Sequence, residues 1–482
     1  MFDSAWLENP LHLPGLIDYI SASPVIDAQM IKVDTTLKDE LRQFFIIAIP
    51  LSAAYLAEFA MFITTKMVVG KLGYHSLAAV GIAGDLTFEI LVIMMALLSI
   101  VGVLAAQALG AGKKQELGQS VRQGFYVATG IGVPAMVLVW NLDLALAATN
   151  QDPKVIELAG GYLKGISGAV LPVLWFSVFR NFVAVLSQTV SVLVISVVAV
   201  GLNYLLTLWF VFGGLGLEPL GLFGAGLATT LVSWFMFLSL ALHVYRKPLF
   251  RGYGIFKGKW QLIWPLCQEI MLLGIPVAGL TFLEAGLFVA TSILSGVIGA
   301  KTLAAYEIVM AWAGIPFVIA FGLAEATMIR VAHAIGTDSM RNARRAGFLG
   351  MSLVIAIVSS MIVVPIVFSQ PIIRIFISPE DPGFAEVSAM ATEFLLIAAV
   401  FMVFDGLQAA AARALRGMKD NLVPLWIAGF GYWILGIGGG SLLAFHYQMG
   451  GAGLWWGLAA GLSVSACLLT WRFHRFTLPR PA

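Results

Sequence analysis

From Phe44 to about Leu469 the sequence is a succession of apolar stretches separated by short polar or glycine-bearing breaks. A helix needs about 20 apolar residues to cross a bilayer, and runs of that length fill this interval. Composition agrees: 60% of the 482 residues are hydrophobic and 11% are charged, where a soluble domain carries about 25% charged residues. The chain is therefore expected to be an all-α membrane protein with about twelve transmembrane helices.

The spans are predicted over residues 44–69, 77–105, 121–141, 160–184, 192–213, 223–245, 268–297, 303–333, 346–368, 388–412, 421–444 and 452–472. Their connections alternate in charge. Lys113, Lys114 and Arg122 fall between spans 2 and 3, Arg246, Lys247, Arg251, Lys257 and Lys259 between 6 and 7, and Arg341, Arg344 and Arg345 between 8 and 9. Arg413, Arg416 and Lys419 fall between 10 and 11, and Arg472, Arg475 and Arg480 follow span 12. On the other side stand Lys71, Lys154, Lys301 and Arg374. Basic connections stay cytoplasmic, so both termini are predicted to be cytoplasmic.

The chain also carries itself twice. Ile49, Pro50, Glu58, Phe62, Thr65, Gly70, Gly73, Leu77, Ala78 and Ala79 recur as Ile275, Pro276, Glu284, Phe288, Thr291, Gly296, Gly299, Leu303, Ala304 and Ala305, each pair at the same interval (276 − 50 = 226). Gly110 and Gly336 keep that interval, Leu186 aligns with Leu415 at 229, and Gly224 to Leu227 matches Gly451 to Leu454 at 227. An even number of spans separates equivalent points, which predicts two six-helix lobes related as parallel repeats about an axis along the membrane normal. The expected organisation is a cytoplasmic tail over residues 1–42, an N-lobe over 43–246, a basic linker over 247–266, a C-lobe over 267–473 and a second cytoplasmic tail over 474–482.

Several classes are excluded. The formal charge of +2 is not gathered into a basic domain of the kind that binds nucleic acid. Cys267 and Cys467 lie inside apolar spans, and the six histidines form no paired-ligand motif, so neither a disulfide framework nor a structural metal site is expected. The glycines of span 11, Gly436, Gly438, Gly439 and Gly440, are followed by no Gly-Lys-Ser/Thr, and close helix packing accounts for them better than a phosphate loop. Residues 1 to about 40 lack the basic start and apolar stretch of a secretory signal. Met30 is a candidate alternative start, since Met30 to Gln43 reads as an ordinary lead into a first span.

Ionisable residues at bilayer depth carry the functional signal, because they are costly there unless something requires them. Glu284 lies about 24 Å along span 7 at 1.5 Å per residue, with no basic residue within two turns on its own helix. Its copy, Glu58, has similar depth. Asp405 stands in span 10 with Gln408 one turn later and Arg413 as the nearest cation on that helix; at interval 229 its counterpart is Phe176. Glu284 and Asp405 are expected to share a cavity without touching. In span 2, Asp85 and Glu89 are four residues apart and face one way, and Lys66 stands where it could pair with Asp85 or snorkel. These form a possible secondary polar site in the N-lobe. Glu307, Glu325 and Arg330 in span 8 read as structural, with Arg330 at the interface and Glu307 near the outer rim.

Particular stretches resemble the multidrug and toxic compound extrusion (MATE) antiporters, and within them the NorM-like branch. The resemblance is carried by Ala106-Gln107-Ala108-Leu109-Gly110-Ala111-Gly112 followed by Val121-Arg122-Gln123-Gly124, and by Ile275-Pro276 with Phe282-Leu283-Glu284. It continues in Ile329-Arg330-Val331-Ala332-His333-Ala334-Ile335-Gly336, in Asp405 with Gln408, and in Leu415-Arg416-Gly417 with Asp420. It implies two six-helix lobes in a V shape, a central cavity, and export of small amphipathic, often cationic compounds against Na⁺ or H⁺. It further implies a multi-pass protein of the bacterial inner membrane, working as a single chain, with no cofactor beyond the coupling ion. Glu284 and Asp405 occupy the family's cation-coupling positions. The family's Val-Asp-Thr-x-Met stretch on helix 1 reads Ile63-Thr64-Thr65-Lys66-Met67 here, so Thr64 replaces the acid and Lys66 follows. Glu58, Asp85 and Glu89 are possible substitutes.

The reading is a secondary active efflux transporter rather than an enzyme. Its rivals are a flippase or exporter of a lipid-linked or endogenous metabolite on a related two-lobe plan, an intramembrane hydrolase using Glu284 and Asp405 as paired acids, and a channel. The hydrolase lacks a visible nucleophile or metal constellation, and the channel lacks a repeated filter segment.

Overall fold

A computed structural model describes residues 37–147, 153–214, 216, 218–256, 260–377, 379–380 and 382–478. Twelve helices among these are long and apolar enough to cross a membrane. They are α1 (Leu37–Gly70), α2 (Tyr74–Gly110), α3 (Lys114–Trp140), α4 (Pro153–Val185), α5 (Val190–Phe212) and α6 (Gly221–Arg246), then α7 (Trp264–Ile298), α8 (Ala300–Gly336), α9 (Met340–Val367), α10 (Phe384–Gly417), α11 (Leu422–His446) and α12 (Gly450–Phe476). The expected number of spans is met. Several helices run past the apolar limits: α1 begins at Leu37, so residues 37–42 are helix rather than tail. The remainder of the expected tail, including Met30, lies outside the described residues, as do Lys257, Lys259 and Arg480.

Six helices fold into each lobe, and the lobes meet where α8 lies against α1 and α2, and α7 lies against α2. The duplication is visible at this seam. Gly110 at the end of α2 and Gly336 at the end of α8, the pair 226 residues apart, touch one another: a Cβ on Gly110 would fall 3.0 Å from the Gly336 Cα and overlap the His333 carbonyl oxygen. Only glycine allows two backbones to approach so closely. Inside the C-lobe, Gly440 and Gly457 bring α11 and α12 together in the same way, whereas Gly439 of the same run has open space around it. Pro50 and Pro276, another repeat pair, lie inside α1 and α7, and each removes one backbone hydrogen bond from its helix.

The hydrogen bonds joining the lobes include Arg330 to Glu40, Ser52 to the Ile319 carbonyl, Arg416 to Ser99, and Gln107 to the Gly417 carbonyl. All four lie in the half of the bundle that adjoins the basic connections. At that end Gln123 of α3 also ties the segment before α7, donating to the Gln261 carbonyl and accepting from the Ile263 amide.

Candidate functional site

The acids singled out in the C-lobe come together. Asp405 on α10 is 5% exposed, and its Oδ1 meets no hydrogen-bond donor among the described residues. Gln408, one turn along and so on the same face, has an equally unpartnered Oε1. Glu284 on α7 is half-buried and, like Arg413, lies near enough to Asp405 for their charges to interact; no hydrogen bond joins the two acids. Sequence reasoning missed a fourth member, Tyr432 on α11: it is fully buried, its hydroxyl is unpartnered, and Glu284 and Asp405 are its leading charged neighbours. Nothing in the apolar, glycine-rich run around it singles it out.

Arginines surround this cluster without neutralising it. Arg413 Nε donates to Glu325 Oε2 of α8 at 3.3 Å and lies 3.8 Å over the Phe321 ring. Arg416 Nη1 donates to Ser99 Oγ of α2. Both arginines were expected in the connection after span 10; instead α10 continues to Gly417 and buries them. Arg122, expected in the loop before span 3, is likewise buried within α3 and donates to the Gly254 carbonyl at 2.6 Å. These spans extend past the limits that hydropathy suggests, α10 at its end and α3 at its start, because the guanidinium groups find carboxylates, hydroxyls or carbonyls, which offsets the cost of burying them.

The N-lobe copy is built differently. Glu58, the counterpart of Glu284, accepts from Arg180 Nη1 at 2.9 Å and from Ser196. Arg180 also lies 4.7 Å from the Tyr55 ring and 5.8 Å from that of Phe176, the counterpart of Asp405. Arg180 was overlooked in the sequence although it stands openly inside the apolar run of span 4. Lys66 and Asp85 do form an ion pair, at 2.8 Å. Glu89, one turn from Asp85, is half-buried. Thr64 turns back to the Met61 carbonyl of its own helix, whereas Thr65 reaches Asn203 Oδ1 on α5 at 3.0 Å.

Arg330, read from sequence as interfacial, is buried. Its fork meets both oxygens of Glu40, with both side chains 6% exposed. Glu307, by contrast, is exposed near the far end of α8 and accepts from Ser292. Among the described residues no three His, Cys, Asp or Glu side chains converge as a metal site would require.

Two six-helix lobes packed around paired and unpaired buried charge define a multi-pass membrane transport protein. The MatE family profile matches the chain twice, over residues 50–209 and 276–441, so its two copies begin at the same 226 interval as the repeat. A probable multidrug resistance protein NorM of Mesorhizobium japonicum is 36% identical over 452 residues, covering 93% of this chain and 97% of the relative. Among solved structures, an outward-facing multidrug resistance MATE family transporter of the MOP superfamily superposes with a TM-score of 0.84 at 17% identity, covering 94% of this chain and 98% of the other. The eukaryotic MATE transporter AtDTX14 gives 0.81 at 22% identity, with 91% and 98% covered. The chain belongs to the MatE family, and is a transporter rather than an enzyme.

Proposed function

We propose that this protein exports small amphipathic, often cationic compounds across a bacterial inner membrane in exchange for Na⁺ or H⁺, as a single chain with both termini in the cytoplasm. The NorM-named relatives support multidrug efflux as the activity, and the concentration of basic residues on one side supports the orientation. The observation that carries the coupling site is the contrast between the lobes. Glu58, Glu325 and Glu40 each hold an arginine, whereas Glu284 and Asp405 have no hydrogen-bonded counter-charge among the described residues.

A coupling cation supplies that missing charge. Carboxylate, amide and hydroxyl oxygens from Glu284, Asp405, Gln408 and Tyr432 suit a hard monovalent cation, and the two carboxylates alone suit a proton. With the lobes joined at their basic ends, the central cleft faces the opposite side. The coupling ion then enters from outside, substrate leaves there, and the lobes rock to expose the cleft inward. The ion biases that equilibrium only through its different affinity for the two states. The N-lobe group of Glu58, Thr64, Lys66, Asp85 and Glu89 forms a secondary polar region on the substrate path.

The test is ethidium transport by purified protein in liposomes under imposed Na⁺ or H⁺ gradients. Gradient-driven transport that Glu284→Gln or Asp405→Asn abolishes is the expected result. Transport unaffected by either substitution would remove the coupling assignment, and ion replacement in the same assay separates Na⁺ from H⁺.

A further inference from the structure

At the outer end of the N-lobe, an ammonium is already bound. Lys66 Nζ lies 2.8 Å from Asp85 Oδ1 and 4.2 Å from the centre of the Phe62 ring. The Phe88 ring stands 5.6 Å from that of Phe62 at a 32° tilt. A carboxylate on one side and an aromatic face on the other is the environment in which proteins hold substituted ammonium ligands. Here the occupant is a side chain of the protein itself, held in place by a four-carbon tether.

The arrangement is open rather than sealed. The Lys66 and Asp85 side chains are 29% and 58% exposed and Phe88 is 43% exposed, so an incoming cation reaches the carboxylate and an aromatic ring. Glu89 stands on the same face of α2 as Asp85 and one turn deeper, and α2 is the helix that lies against α7 and α8 of the opposite lobe. The ion pair therefore joins α1 to a helix of the seam between the lobes, nearer the outer end of α2 than Glu89.

We infer that Asp85, Phe62 and Phe88 form an organic-cation subsite whose resident occupant is Lys66, and that a cationic substrate binds there by displacing the Lys66 ammonium. This rests on the efflux reading for its physiological meaning, although the binding step itself does not. A tethered competitor has an effective concentration of order mM, so a substrate present at lower concentration is disfavoured at the outer mouth. For an exporter this assists release: the lysine closes behind the departing cation and opposes its rebinding. Lys66 thus determines specificity by weakening the hold on simple monocations.

The experiment measures equilibrium binding of ethidium, a permanent monocation, to the purified full-length protein in detergent without any ion gradient. Lys66→Gln is expected to tighten binding about tenfold, since the competitor is gone. Lys66→Arg, which keeps a tethered cation, is expected to stay within about twofold of the parent. Adding Asp85→Asn to Lys66→Gln is expected to cancel the gain. Equal dissociation constants for the parent and Lys66→Gln, a gain that survives Asp85→Asn, or no ethidium binding by any of the four proteins overturns the subsite. Matching gel-filtration profiles and thermal midpoints establish that the variants are folded. Failure of gradient-driven transport in liposomes counts against the efflux reading instead, because the binding measurement involves no gradient.

Discussion

Arg330 and Glu40 join the two lobes through a bidentate ion pair, Nε to Oε1 at 2.9 Å and Nη2 to Oε2 at 2.7 Å, buried where α8 crosses α1. Its partners come from the first helix of one lobe and the second helix of the other, so separating the lobes at their basic ends would break it. The neighbouring α2–α8 crossing carries the Gly110–Gly336 contact, which makes that end of the molecule a close-packed seam held by charge.

Removing one partner of the pair leaves the other buried and uncompensated, at a cost of about 3–5 kcal/mol. Glu40→Ala and Arg330→Ala are each expected to destabilise the closed seam by about that much and to shift the protein toward the arrangement open at its basic end. Distances between spin labels placed on the α2–α3 and α8–α9 connections should lengthen. The double variant should be less damaging than the sum of the single ones, because no stranded charge remains. Additive losses, or label distances that stay at the parent value, contradict a latch.

A side chain at the glycine contact should act on the same equilibrium by steric means. Gly336→Ala would drive a methyl group into the Gln107 carbonyl oxygen, and overpacking of this kind costs about 1–3 kcal/mol. Gly439→Ala in α11 meets nothing within 4 Å and serves as the control, expected to be neutral or slightly stabilising by the helix propensity of alanine. Thermal midpoints of the two variants in detergent decide the matter. Equal midpoints would mean that the α2–α8 crossing gives way freely.

The acids of the two lobes should respond oppositely to neutralisation. Glu58→Gln strands Arg180, whose side chain is 6% exposed, so lower stability is expected with ion-driven transport preserved in the folded fraction. Glu284→Gln strands no cation, so near-parental stability is expected with coupling lost. Arg180→Met in the Glu58→Gln background should recover stability, since a buried ion pair replaced by an apolar residue of similar volume is commonly tolerated. Liposome transport normalised to folded protein separates these outcomes, and gradient dependence lost in Glu58→Gln alone would move the coupling site into the N-lobe.

The sequence made the architecture legible because it was written twice in a register that hydropathy cannot obscure: Pro50 and Pro276, Glu58 and Glu284, Gly110 and Gly336 all keep one interval. It also isolated Glu284 and Asp405, since an acid without a cation on its own helix stands out in an apolar run. What it concealed were the partners. Arg180 neutralises Glu58 across 122 residues and Glu40 meets Arg330 across 290, and no local spacing encodes such meetings. Arg413 and Arg416 were misplaced for a related reason. Near a helix end, an arginine destined for a buried carboxylate or hydroxyl looks the same as one destined for water.

Tyr432 offers the sharpest separation of stability from function. Its hydroxyl is buried with no hydrogen-bond partner among the described residues, and an orphaned polar group of this kind costs about 1–3 kcal/mol. Tyr432→Phe removes that oxygen and keeps the ring among its neighbours, so stability is expected to be unchanged or to rise. If the oxygen is held there for the coupling cation, the same change should weaken ion dependence. The Na⁺ or H⁺ concentration giving half-maximal transport is expected to rise about tenfold to a hundredfold, as for loss of one hydrogen-bond-strength contact to a charged group. Thermal midpoint and ion dependence are then measured on one preparation. A gain in stability with unaltered ion dependence would assign Tyr432 to packing alone and leave Glu284, Asp405 and Gln408 as the oxygen donors.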